Sequence, residues 1–196
     1  MVTCPTPTEL LDKMIRGDVK QVGITFIEGH TFAQMRKELD EHPHLTHATK
    51  GVPDAELLAL VGAAESHPEG LFFPETYRFH KGASDVEILK RAYKDMQSHL
   101  TRLWDTRTSN LPLKSPYEAL ILASVVEKET GQASERPQIA AVFINRLNSN
   151  MRLQTDPTVI YGLGASFDGN LTKVHLRTDT PYNTYTRGGL PPTPIA

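Results

Sequence analysis

The sequence predicts an α+β fold, rich in helix, with short strands and a loop-rich C-terminal part. Before residue 150, apolar residues recur at helical spacing behind three Ser/Thr-x-x-Glu/Gln start signals. One stretch in that half, "VGITFIEG", alternates instead, as a half-buried strand does. After residue 150, Pro, Gly, Tyr, Asn and Thr crowd the chain, and the expectation there is loops with short strands.

Taken in order, "TPTELLDKMIRGD" reads as a short helix ending at Gly17, and "VGITFIEG" as a strand with Val22, Ile24 and Phe26 on one side. Thr31 and Gln34 form a capping box ahead of "FAQMRKELDEH", in which Phe32, Met35 and Leu39 share a face. "PDAELLALVGAAE" is a second short helix, and "EGLFFPETYRFHKG", aromatic and broken by Pro74, is extended. Ser84 with Glu87 opens the longest helix, where Val86, Leu89, Tyr93, Met96, Leu100 and Leu103 keep helical spacing as far as Trp104. After the loop "DTRTSNLPLK", Ser115 with Glu118 opens a helix through "YEALILASVVEKET". Pro116 takes its first position, where a missing N–H costs nothing, and Gly131 is the expected C-terminal cap. Ser134 starts the next helix, "ERPQIAAVFINRLN", with Ile139, Val142, Phe143 and Leu147 turned to the core.

At 196 residues the chain has room for one domain, or one domain and a fragment of another. Its 39% hydrophobic and 22% charged content are those of a soluble globular protein. A net charge of −2 gives no steering toward nucleic acid and no polybasic membrane patch. The single cysteine, Cys4, excludes an intrachain disulfide framework. No apolar run approaches the roughly 18 residues of a membrane span, and no signal peptide opens the chain, so a soluble polypeptide is expected. The ends "MVTCPTPTELL" and "GLPPTPIA" read as truncation points as much as natural termini, which leaves open a membrane anchor in a longer parent.

The chemistry-bearing stretch is "SVVEKETGQASER", residues 124–136. Residues two apart on a helix point about 200° away from each other, so Glu127 and Glu129 do not form the close carboxylate pair of a two-acid glycosidase. One acts alone, one acts with a distant partner, or neither acts and both are solvated helix ends. Glu129 follows the row of Leu122, Val125 and Val126, whereas Glu127 follows Leu120, Ala123 and Ser124. Desolvation by large apolar neighbours keeps a carboxylic acid protonated for general-acid work, which favours Glu129. Glu135 opens the next helix and complements its dipole. Downstream, Asn145, Arg146, Gln154, Asp156, Tyr161, Tyr182, Asn183 and Tyr185 suit a sugar ligand, since rings stack on sugar faces and amides satisfy hydroxyl pairs. Turn chemistry at Asp156-Pro157 and Tyr182-Asn183 is the alternative account of the same residues. The histidines of "EHPHLTH", His42, His44 and His47, lack a completing Cys or His partner and read as a solvated turn. No phosphate-binding glycine loop and no Gly-x-Ser-x-Gly elbow is present, and neither a metal nor a cofactor is expected.

"ASVVEKETGQASERPQIAAVFINRL", "MRLQTDPTVIYG", "PYNTY" and "GLPPTPI", with "ITFIEGHTF" and "EGLFFPETYRF" upstream, resemble the YceG-like family of endolytic murein transglycosylases, the MltG-type proteins of cell-wall assembly. The resemblance runs in order over about residues 20–196, and residues 1–20 are similar to the tail of the small LysM-like subdomain that precedes such catalytic domains. It implies a division into residues 1–20 and a C-terminally truncated catalytic domain over 21–196. By the family's Glu-Lys-Glu-Thr motif it assigns the catalytic acid to Glu129; of the residues whose chemistry suits a sugar, Asn145, Gln154, Asp156, Tyr161, Tyr182, Asn183 and Tyr185 are the candidate substrate-binding set.

The implied reaction is lytic cleavage of the β-1,4 bond between N-acetylmuramic acid and N-acetylglucosamine in nascent strands, leaving a 1,6-anhydro-muramyl end and terminating elongation. Peptidoglycan strands are the implied partner and peptidoglycan synthases candidate partners, with no cofactor. The implied location is the inner membrane, catalytic domain on the periplasmic side. The family's transmembrane helix, complete LysM-like subdomain and Gly-x-His-x-Phe-like C-terminal segment do not occur in this sequence. A peptidoglycan-binding scaffold fragment without activity is the alternative from another class.

Overall fold

The computed structural model describes residues 6–8, 11 and 21–196; apart from those few positions, the expected helix ending at Gly17 and the LysM-like tail lie outside the described residues. The alternating stretch forms β1 (Gln21–Thr25), antiparallel to β2 (Thr76–His80), with Gln21 opposite His80 and Thr25 opposite Thr76. Ile24, Phe26, Tyr77 and Phe79 turn inward, as period-two patterning requires. Facing them is α1 (Phe32–Glu41), whose Thr31–Gln34 capping box forms both of its bonds and which buries Phe32, Met35 and Leu39. Next, α2 (Asp54–Val61) ends on Gly62 in the left-handed region, φ 85°.

The longest helix, α3 (Asp85–Asp105), buries Asp85, Ile88, Leu89, Ala92 and Met96, while Leu103 is exposed because the helix outruns the core. Ser84 Oγ caps it through Val86 N–H rather than Glu87 N–H, and the expected box does not form. Asp85 is fully buried, and its carboxylate accepts from Ala48 N, Thr49 N and Thr49 Oγ1, at 3.0, 3.0 and 2.6 Å. Those bonds offset the desolvation of a buried charge and tie the loop after α1 to the start of α3.

Helix α4 (Pro116–Glu129) is the spine of the molecule. Ser115 Oγ accepts from Glu118 N–H, and Glu118 reaches back to Lys114 N–H, one residue earlier than the box predicts. α4 buries residues on nearly every side and joins two cores. Leu120 belongs to the core of the sheet and α1–α3, whereas Leu122, Val125 and Val126 pack with Phe143, Leu153 and Ile195 in the other. Each such side chain contributes about 1.5–3 kcal/mol by burial.

Gly131 is not the cap: α4 stops at Glu129, and Thr130 is extended with φ −144°. Thr130 Oγ1 donates to Glu135 Oε2 at 2.7 Å and accepts from Gln132 N–H at 3.0 Å, so side-chain bonds make the turn that a left-handed glycine would. A 3-10 turn, Ala133–Glu135, then leads into α5 (Arg136–Asn148), and Ser134 does not cap it. Phe143 is buried and Ile139, Ala140, Ile144 and Leu147 pack with it, but Val142 is 50% exposed, one step of about 100° round the helix from Phe143.

The expectation of short strands after residue 150 fails. Among the described residues no strand follows His80; α6 (Asp156–Leu163), a 3-10 turn (Gly164–Ser166) and α7 (Lys173–Arg177) stand there instead. Pro157 lies in the first turn of α6, where it needs no N–H partner, so Asp156-Pro157 starts a helix and not a turn. α7 is closed by a capping box between Thr172 and His175. The histidine turn is partly solvated, its three histidines half-buried between exposed Glu41, Pro43 and Thr46. His42 is half-buried edge-on to Phe79, its Nδ1 accepts from His44 N–H, and its Nε2 donates to Gly23 O.

Candidate active site

Glu129 occupies the last turn of α4, and the chain returns to it 26 residues later: Thr155 Oγ1 donates to Glu129 Oε2 at 2.6 Å. Thr155 is itself 2% exposed and fixed from behind. Its N–H donates to Thr184 Oγ1 at 3.1 Å, Thr184 meets Thr158 Oγ1 at 2.9 Å, and Gln154 N–H donates to Thr184 O at 3.1 Å. A buried threonine network thus aims one hydroxyl at one oxygen of Glu129, and no hydrogen bond among the described residues meets the other oxygen.

The burial order of the two glutamates is the reverse of the one expected. Leu122, Val125 and Val126 are buried, but the core ends with Val126 and Glu129 beyond it is exposed. Glu127 is half-buried, and its carboxylate pairs with Arg136 Nη2 at 2.9 Å. Glu127 is engaged structurally, while Glu129 holds a free oxygen toward solvent.

Beside Glu129, Tyr185 OH donates to Asp156 Oδ1 at 2.5 Å. Burial, that bond and the negative charges of Asp156 and Glu129 push the Tyr185 phenol up to about 12, so it stays a neutral donor at physiological pH. Arg152 Nη1 holds Tyr185 O at 2.9 Å, and Arg146 is bonded to Leu153 O. Gln154 is exposed with φ 51°, a left-handed conformation that turns the backbone so that Thr155 meets Glu129.

Asn183, expected to meet substrate, is fully buried. Its Nδ2 donates to His175 O, Leu176 O and Thr178 O, and its Oδ1 accepts from Tyr185 N–H at 2.9 Å. It shapes the loop that carries Tyr185. Asn145 is exposed on α5, and no hydrogen bond among the described residues joins its side chain to the rest of this set.

Tyr161 and Tyr182 stand one step away, rings edge-to-face at 4.9 Å, in a cleft of about 800 Å³ that Lys128 and Pro157 also line. Tyr161 OH donates to Glu69 Oε2 at 2.8 Å, and Tyr182 OH lies 2.8 Å from Thr193 Oγ1. Burial, together with the Glu69 charge, holds the Tyr161 phenol far above its ordinary range. Among the described residues no group of three His, Cys, Asp or Glu side chains converges as metal ligands.

A profile of the YceG-like family matches residues 3–196. The chain belongs to the YceG-like family. It is 37% identical over 165 residues to an endolytic murein transglycosylase of Bacillus subtilis (strain 168), a match covering 83% of this chain and 45% of that protein. It is 32% identical over 133 residues to an endolytic murein transglycosylase of Streptococcus pneumoniae (strain D39), covering 65% of this chain and 23% of that protein. The chain therefore spans less than half the length of these two relatives. A 2.6 Å crystal structure of a yceG-like protein from Listeria monocytogenes superposes with a TM-score of 0.72 at 32% identity, over 97% of this chain and 68% of that one.

Sequence reading of this YceG-like domain passes over Thr155 and Glu69. Thr155 carries a usable signal: it precedes Asp156-Pro157 at the N-cap of α6, yet its hydroxyl makes no cap bond and goes to Glu129 instead. Glu69 carries none, because its partner Tyr161 is 92 residues away.

Proposed function

We propose that this YceG-like chain is the catalytic part of a lytic transglycosylase that cleaves the N-acetylmuramyl-β-1,4-N-acetylglucosamine bond of peptidoglycan strands. The observation that carries the reading is the 2.6 Å bond from Thr155 Oγ1 to Glu129 Oε2. With Oε2 accepting from Thr155, Oε1 is the oxygen left to pass a proton to substrate. Relatives named endolytic murein transglycosylases support the substrate class.

A single carboxyl suffices for this chemistry. Glu129 protonates the leaving O4 of N-acetylglucosamine as the C1–O4 bond breaks. The resulting carboxylate takes the proton of the muramyl 6-hydroxyl, whose oxygen bonds to C1 and closes the 1,6-anhydro ring. Glu129 ends protonated, and no water is consumed. A hydrolase needs a second group to position that water; here the nucleophile is tethered to the reacting ring and gains the proximity advantage. The Thr155 hydroxyl stabilises the intermediate carboxylate, and Tyr185 with Asp156 offers a neutral phenol donor and an acceptor to the sugar beside it. Cleavage within nascent strands would terminate their elongation, next to the synthases and on the periplasmic side of the inner membrane.

Digestion of purified glycan strands, read by mass spectrometry, tests the proposal. Anhydro-muramyl ends are expected, and reducing muramyl ends would point to hydrolysis. Strand binding with no new ends would leave a peptidoglycan-binding module.

A further inference from the structure

We propose that Glu69 and the cleft it lines form a second glycan-contact region, which takes the N-acetylated sugars that continue along the strand from the ring cleaved at Glu129. The inference rests on the lytic reading above. Glu69, ahead of β2, and Gln34, at the start of α1, line the cleft of about 800 Å³ together with Lys128, Tyr161 and Tyr182. That volume lies within the roughly 300–1,000 Å³ typical of small-ligand sites. Lys128 precedes Glu129 and Pro157 follows Asp156, and both line the cleft, so it opens beside the acid proposed to react.

Glu69 makes the cleft a built site. It is 4% exposed, and each oxygen holds one donor: Oε1 accepts from Phe32 N–H at 2.6 Å and Oε2 from Tyr161 OH at 2.8 Å. A carboxylate has about four acceptor positions, so two remain for sugar O–H or acetamido N–H groups. Both present donors are neutral, and burial raises the pKa of Glu69 above the ordinary carboxylate value. With those two donors the Glu69 carboxylate is less satisfied than that of Asp85, which accepts from Ala48 N–H, Thr49 N–H and Thr49 Oγ1. Around it, the rings of Tyr161 and Tyr182 and the side chain of Ile160 offer apolar surface to sugar faces. A polar acceptor set among aromatic walls matches an N-acetylated sugar, which is apolar on its ring faces and polar at its rim.

The test is titration calorimetry of peptide-free glycan strands, purified from peptidoglycan, into Glu129→Gln protein and into Glu69→Gln/Glu129→Gln protein, with thermal melts of both. Loss of a hydrogen bond to a charged group predicts affinity at least about tenfold weaker in the double variant. Unchanged affinity in a folded double variant overturns the inference, as does an absence of strand binding by the Glu129→Gln protein. Ala33→Trp in the Glu129→Gln background fills the cleft from an exposed position on α1 and leaves the bonds of Glu69 in place. The same loss is expected, and unweakened binding with the indole present overturns the inference whether or not Glu69→Gln folds. Failure of the lytic reading registers separately: strand cleavage by Glu129→Gln protein removes that assignment and leaves the affinity comparison intact.

Discussion

Thr155 gives its hydroxyl to Glu129 across 2.6 Å, and the bond joins the end of α4 to the start of α6. Thr155→Val keeps the shape and the backbone bonds but removes the donor. The expected outcome is a fall of about 10- to 100-fold in the rate of anhydro-end formation, the equivalent of a hydrogen bond to a charged group. Thr155→Ser restores most of it. A Val variant as fast as the wild type would show that Glu129 needs no positioning.

Glu129→Gln removes the only group assigned to both proton transfers, and a rate loss of at least about 10²–10⁴-fold is expected with fold and strand binding kept. Glu127→Gln instead breaks the partly exposed pair with Arg136. Its expected cost is stability of up to about 1 kcal/mol with substantial activity retained. Parallel assays of anhydro ends and of denaturant midpoints separate the two. An inactive Glu127→Gln and an active Glu129→Gln would exchange the two roles.

Local signals carried the sequence reading where the partners are near. The Thr31–Gln34 box, Pro116 and the face of Phe32, Met35 and Leu39 are each settled within one or two helical turns, and the structure forms all three. Local signals misled where other bonds, near or distant, outcompete them. Gly131 looks like a cap, but the Thr130–Glu135 bond makes the turn first. Asp156-Pro157 looks like a turn, yet Thr155, held by Thr184 from 29 residues away, sets the start of α6 so that Pro157 falls in its first turn. Asn183 has the side chain of a sugar ligand, and four bonds to nearby main chain consume it. The acid proposed here, Glu129, stands out in the sequence because a short motif carries it. Its positioning hydroxyl and the cleft wall at Glu69 are products of tertiary packing.

Gly70, next to Glu69, has φ 74°, and a Cβ there would lie 2.6 Å from Pro194 Cβ and 3.1 Å from Ala196 O. Gly51 has nearly the same backbone, φ 75°, with nothing within 4 Å of its would-be Cβ. Gly51→Ala therefore isolates the left-handed backbone cost, about 1–2 kcal/mol. Gly70→Ala adds a clash with the packed C-terminal segment, bringing the expected loss to about 2–5 kcal/mol. Urea melts of the two variants give the comparison directly, and equal losses would mean that the Pro194 segment yields without cost.

Alkaline pH probes the walls of the site, because burial, the largest cause in each case, raises the phenols of Tyr77, Tyr93, Tyr117, Tyr161 and Tyr185 above their ordinary value. For Tyr185 the folded value is about 12, against about 10 in the unfolded chain. The sign follows from linkage. Below pH ~10 both states keep these protons and the stability is fully present; above it the unfolded chain releases protons that the folded one retains. Stability is therefore lost progressively as pH rises from about 10 through about 12. In a spectrophotometric titration at pH ~10, the folded protein is expected to show well under half of the tyrosinate signal that it shows in denaturant. Tyr185→Phe should remove the component that titrates near 12 and leave those of Tyr77 and Tyr161, which lie higher still. Coincident folded and denatured titration curves would show that solvent reaches these rings and that the cleft lined by Tyr161 is not built as described.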